Sequence, residues 1–219
     1  MKKIGLITVI AMFATALSAQ EKGDWANYGR YAEANAALTK APDVVFMGNS
    51  IVQVWADNRP AVFADNNYAG RGISGQVTAQ MLARFQSDVV ALSPKEVVIL
   101  AGINDIAENN GSVPIPEIAH NIISMCQIAR VNGIEPIIIS VLPASEFRWR
   151  PEIKDVAESV KSLNGLLKEW ATANDCAYVD MWSEMANEKG GLSPDLASDG
   201  VHPTSAGYEM MESMILPHL

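Results

Sequence analysis

Short, nearly uninterrupted apolar runs alternate with longer stretches of helical period along most of this 219-residue chain. The runs lie at residues 44–47, 97–101, 134–141 and 177–179, with a weaker one at 67–70. A strand of that kind has no polar face to offer water, so it belongs in a sheet covered on both sides. Between the runs, residues 25–38, 77–85, 115–131, 153–173 and 205–216 carry apolar side chains at helical spacing. In the third of these, Ile118, Ile122, Met125, Ile128 and Ala129 fall on one stripe. The alternation predicts an α/β fold: a three-layer α/β/α sandwich, flavodoxin-like, around a five-stranded parallel sheet.

The first residues belong to a different logic. Lys2 and Lys3 precede an apolar stretch over residues 4–17, and the small residues Ser18 and Ala19 follow. That is the pattern of a secretory signal peptide, too short to be a membrane span. Its removal at about Ala19 leaves one expected domain, residues 20–219, exported to a periplasmic or extracellular location and not integrated in the membrane. The formal net charge is -9, and the loss of two lysines makes it more negative. A nucleic-acid partner would want a basic face, so none is expected. Cys126 and Cys176 are too few for a disulfide framework, and an exported chain could hold them either as buried thiols or as one bridge. With three histidines and no metal-ligand spacing, neither a metal nor a cofactor is expected.

Doubly wound sheets bind ligands beyond the carboxyl ends of their strands, and the polar, glycine-rich segments fall at those ends. Gly48-Asn49-Ser50 follows the first run, Arg71 to Gly75 the second, Gly102-Ile103-Asn104-Asp105 the third, and residues 143–150 the fourth. The loop 197-ASDGVHPT-204 comes well after the fifth. Segments scattered over 150 positions therefore converge on one edge. An alcohol such as Ser50 is a weak nucleophile unless a base lies within hydrogen-bond reach. His202 is the best-placed base, and Asp199 can reach back to orient its ring. Read alone, Asp199-Gly200 is a turn and Pro203 opens a helix capped by Thr204 or Ser205; Ser50 at a strand end turns the balance towards chemistry. A tetrahedral intermediate also needs donors, which the N–H groups of Ser50 and Gly75 and the Asn104 amide can supply. The plainer roles for Gly75 and Asn104 are a turn and a helix cap. The pattern Gly-x-Gly-x-x-Gly does occur at residues 70–75, but it follows the second run instead of the first, so dinucleotide binding is not expected.

With those blocks quoted, the chain resembles the GDSL/SGNH hydrolases, in their platelet-activating-factor acetylhydrolase-like branch. Met47-Gly48-Asn49-Ser50-Ile51 resembles the nucleophile block, and Arg71-Gly72-Ile73-Ser74-Gly75 the block whose last glycine N–H enters the oxyanion hole. Gly102-Ile103-Asn104-Asp105 resembles the block whose asparagine completes that hole, and 198-SDGVHP-203 the Asp-x-x-His block. The resemblance covers residues 41–216 and implies a serine esterase with catalytic Ser50, Asp199 and His202. One departure is Asn49, where the family usually has aspartate; the resemblance implies a bracing residue outside the triad.

Trp55, Arg71, Trp149 and Arg150 are the candidates for substrate contact, because an aromatic–arginine cluster can stack on a sugar or hold a carboxylate. The expected substrate is an ester of a small acyl group, foremost acetyl, on a carbohydrate or other small molecule. Two rivals are a lipase or phospholipase, and a non-catalytic glycan-binding relative on the same fold.

Overall fold

The computed structural model describes residues 23–219, so the expected export segment, residues 1–19, lies outside the described residues. Five strands form one sheet: β1 (Val44–Gly48), β2 (Tyr68–Gly72), β3 (Glu96–Leu100), β4 (Glu135–Ile139) and β5 (Ala177–Val179). All pairs are parallel, in the order β2-β1-β3-β4-β5. This is the flavodoxin-type order, and its switch point lies between β1 and β3. Val44 pairs with both Tyr68 and Glu96, and Gly48 pairs with both Gly72 and Leu100, so β1, β2 and β3 end level with one another. Three loops that begin there must project over the same patch.

The helices among the described residues are α1 (Ala32–Ala36), α2 (Ser50–Asn58), α3 (Pro60–Asp65), α4 (Thr78–Asp88), α5 (Ile103–Ile106), α6 (Ile115–Val131), α7 (Val156–Ala173), α8 (Met181–Met185) and α9 (Ser205–Ile215). Right-handed crossovers send helices that step towards β2 to one face and those that step towards β5 to the other. Accordingly α4, α6 and α7 lie side by side, burying Met81, Phe85, Ile118, Ile122, Val160 and Leu163. Helices α2 and α9 meet through Trp55 and Tyr208, whose rings stack 5.9 Å apart. Every residue of β1 is buried, which is why its sequence carries no alternation.

Two close approaches rest on glycine. A Cβ at Gly72 would fall on the backbone of Gln53, Asn49 and Val52, so the bare residue lets α2 lie directly against β2. At Gly102, φ is +118° and a Cβ would press on Leu163 Cδ2 at 2.6 Å.

Residues 25–38 do not form the single helix that their spacing predicts. A 3-10 turn at Tyr28–Tyr31 precedes the short α1, and Trp25 lies ahead of both. The cause is competition for the backbone. Gln76 Nε2 donates to Ala26 O at 2.8 Å and Gln80 Nε2 to Trp25 O at 2.8 Å, which pins the segment as a turn instead of a helix. Cys126 and Cys176 are both buried and unbridged.

Candidate active site

The apolar run of β1 ends at Gly48, and Asn49 caps the helix that follows. Its Oδ1 accepts from Ile51 N at 3.0 Å, a standard way to satisfy a first-turn N–H. Ser50 is therefore the first residue of α2, with its own N–H pointing off the helix start.

Ser50 Oγ lies 2.9 Å from His202 Nε2, and His202 Nδ1 lies 2.7 Å from Asp199 Oδ2. The loop that brings the histidine is built around the same carboxylate. Asp199 Oδ1 accepts from Val201 N at 2.9 Å and from His202 N at 2.8 Å, so one oxygen folds the turn while the other takes the ring. Gly200 turns the loop at φ +87°. Beyond it, Thr204 caps α9 by accepting from Gly207 N at 3.3 Å. Burial draws the Asp199 carboxyl upward, but hydrogen bonds from the His202 backbone, its ring and Val201 N prevail and hold it below its ordinary range. With Nδ1–H committed to the carboxylate, the Nε2 lone pair faces the serine hydroxyl.

Asn104 and Gly75 are joined through the loop that follows β2. Gly75 has φ +79°, and nothing stands within 4 Å of where its Cβ would be, so its backbone is open to an approaching group. Asn109 Nδ2 holds the Gly75 carbonyl at 3.2 Å. Asn104, buried at the start of α5, donates to Gln76 O at 2.9 Å through one amide hydrogen, which leaves the second for another acceptor.

Several bracing residues were not singled out from the sequence. Arg84 is wholly buried on α4; its Nη2 donates to Gly48 O at 3.1 Å and Arg71 O at 2.9 Å, joining the ends of β1 and β2. Its Nη1 pairs with buried Asp88 at 2.9 Å and its Nε donates to Gln76 Oε1 at 2.7 Å. Asp105 accepts from Thr78 Oγ1 at 2.6 Å and Thr78 N at 3.0 Å, and burial pushes its carboxyl up to about 6 despite those bonds. The available signal was charge on the apolar face of a helix: Arg84 and Asp88 are four residues apart and flank Phe85.

The expected substrate contacts divide. Trp55 is corrected: it is fully buried, and its Nε1 donates to Glu212 Oε1 at 2.9 Å. Its spacing from Ile51 and Val52 places it on the core face of α2. Arg71 is corrected as well. It is buried, with Nε donating to Asn35 Oδ1 at 2.8 Å and its guanidinium over the Tyr31 ring. Trp149 is exposed and its ring lies 6.3 Å from that of His202, supported from below by buried Phe147. Arg150 is paired with Glu108 and Glu152. Among the described residues no cluster of three or more His, Cys, Asp or Glu side chains could hold a metal, and no helix is long and apolar enough to cross a membrane.

Ser50, His202 and Asp199 thus stand in series at the switch point of a doubly wound sheet. The chain belongs to the GDSL-like lipase/acylhydrolase family, hydrolases that act on esters, and the family model matches residues 46–210. A GDSL-like lipase from Bacteroides thetaiotaomicron is 46% identical, with a TM-score of 0.86 over 88% of this chain and 97% of that one. An acetylxylan esterase of Geobacillus stearothermophilus is 24% identical over 67% of this chain and 68% of its own length. The lipoprotein YqeF of Bacillus subtilis is 27% identical over 58% of this chain, and the match spans 59% of that lipoprotein.

Proposed function

We propose that this chain is an exported serine esterase that removes small acyl groups, acetyl foremost, from a carbohydrate. The observation that carries this reading is the unbroken relay of 2.9 Å and 2.7 Å from Ser50 through His202 to Asp199. Ser50 Oγ attacks the ester carbonyl while His202 Nε2 takes its proton, and the carbonyl π pair moves onto oxygen. The N–H groups of Ser50 and Gly75 and the free Asn104 amide hydrogen receive that oxyanion. Collapse breaks the bond to the alcohol, which leaves with the proton from His202. Water then repeats the sequence on the acyl-serine and releases the acid.

The proton's path says where the alcohol must sit. It leaves on the side of His202, where the exposed Trp149 ring stands. A half-exposed indole beside the leaving group suits the face of a sugar. The acetylxylan esterase relative supports the same substrate class. Export rests on the basic and apolar pattern of residues 1–19, and the lipoprotein relative agrees with it. A lipase would favour a continuous apolar rim, whereas among the described residues the large exposed apolar side chains are spread over Trp25, Tyr28, Leu38, Val131, Trp149 and Leu166.

Release of p-nitrophenol from p-nitrophenyl acetate, and of acetate from an acetylated glycan panel, tests the reading. Ser50→Ala is expected to lower turnover by at least about 10³. Turnover equal to wild type in Ser50→Ala overturns it. Preference for long-chain over acetyl esters favours the lipase reading instead. Trp149→Ala is expected to raise KM for acetylated sugars.

A further inference from the structure

A cleft of about 510 Å³ opens beside Gly75. Its walls come from segments remote in sequence: Trp25 and Asn27 from the N-terminal stretch, Ser74 and Gly75 from the loop after β2, and Asn109 and Asn110 from beyond α5. None of its lining residues carries a charge, in a chain whose formal net charge is -9. A charged ligand would lack a counterion there, and a lipid tail would meet mostly amides. Carboxamides offer donors and acceptors together, while Trp25 presents an indole that is 46% exposed. An aromatic face ringed by neutral donors and acceptors is complementary to a neutral polyol, whose rings have apolar faces and hydroxyl rims. The volume falls within the range of small-ligand sites.

The cleft is tied to the reacting centre. Gln80 Nε2 fixes the Trp25 carbonyl at 2.8 Å and Gln76 Nε2 fixes that of Ala26 at 2.8 Å. Gln76 is also the residue whose carbonyl holds Asn104, and Asn109 Nδ2 reaches Gly75 O at 3.2 Å. The wall carrying the indole thus shares its supports with both groups on the side facing the oxyanion.

We propose that this cleft is a second sugar subsite, which binds a neighbouring residue of a neutral glycan chain while the acetylated residue sits at Ser50. The location of the ester rests on the esterase reading above, and the subsite is testable apart from it. Binding of neutral xylo-, manno- and chito-oligosaccharides to Ser50→Ala is measured by calorimetry, with and without Trp25→Ala. Trp25→Ala is expected to weaken the bound oligosaccharide about tenfold, as when one aromatic anchor is truncated, with Trp25→Phe restoring most of the affinity. In the active protein, the ratio of kcat/KM on an acetylated oligosaccharide to that on p-nitrophenyl acetate is expected to fall by a similar factor in Trp25→Ala. Equal affinity in Ser50→Ala with and without Trp25, or no binding of any oligosaccharide, overturns the subsite even if the esterase is active. A wild-type protein that binds through Trp25 but releases no p-nitrophenol keeps the subsite and sinks the esterase reading.

Discussion

The side-chain amide of Asn104 reaches the backbone carbonyl of Gln76 at 2.9 Å and so couples the end of β3 to the loop that carries Gly75. Asn104 has two tasks in the proposed mechanism, as strut and as donor. Asn104→Ala is expected to lower kcat by about 10²–10³, the usual cost of one oxyanion donor. Steady-state kinetics beside a thermal melt separates the tasks: a lower melting temperature with unchanged kcat would leave Asn104 as a strut alone.

Asn49 does by hydrogen bonding what an aspartate could do at the same place. Its Oδ1 caps α2, while its Nδ2 is buried without a hydrogen-bond partner among the described residues. Wild type and Asn49→Asp are therefore both expected to hydrolyse p-nitrophenyl acetate. Asn49→Ala loses the cap, at about 1 kcal/mol of stability. An inert wild type revived by Asn49→Asp would show that the carboxylate, and not the cap, is what the site requires.

Asp105 makes stability depend on pH. Its carboxyl stands at about 6 in the folded protein against an ordinary 3.8, because burial disfavours the charge. The folded state thus holds the proton more tightly than the unfolded chain. Its contribution is greatest below the ordinary value and fades as pH climbs through about 4 to about 6. The shift corresponds to a loss on the order of 3 kcal/mol. Urea denaturation across that window is expected to show the decline in wild type and a flatter profile in Asp105→Asn. Parallel profiles would mean that the Thr78 hydrogen bonds outweigh burial and keep Asp105 ionised.

Arg84 and Asp88 form an ion pair with no exposure to solvent on either side. Arg84→Met strands the Asp88 charge and frees the carbonyls of Gly48 and Arg71, at an expected cost of about 3–5 kcal/mol. Replacing both, as Arg84→Met with Asp88→Leu, is expected to recover part of the loss. A single variant whose urea midpoint matches wild type would remove Arg84 from the account of how β1 and β2 are held.

Much of this site was legible because the chemistry sits on strand ends. The buried runs located β1 and β3, and Ser50 and Asn104 follow them by two and four residues. The pairing of Asp199 with His202 was legible because it is local. What escaped was the direction of long side chains. Trp55 and Arg71 resemble pocket residues in sequence, yet helical spacing turns the first into the core, and Asn35 with Tyr31 draws the second inward. The segment after residue 24 misled for a related reason. Its apolar spacing is real, but the amides of Gln76 and Gln80 claim the carbonyls of Ala26 and Trp25, and no local pattern records that.

Gly72 carries a consequence for how this sequence can vary. Because the backbone of Asn49, Val52 and Gln53 occupies the place of a side chain there, even alanine would act as a wedge beneath α2. The wedge would tilt the helix start and carry the Ser50 hydroxyl out of line with His202. Mutational drift at position 72 is thereby closed by aim as well as by stability, and a library randomised there and sorted for turnover should return glycine alone.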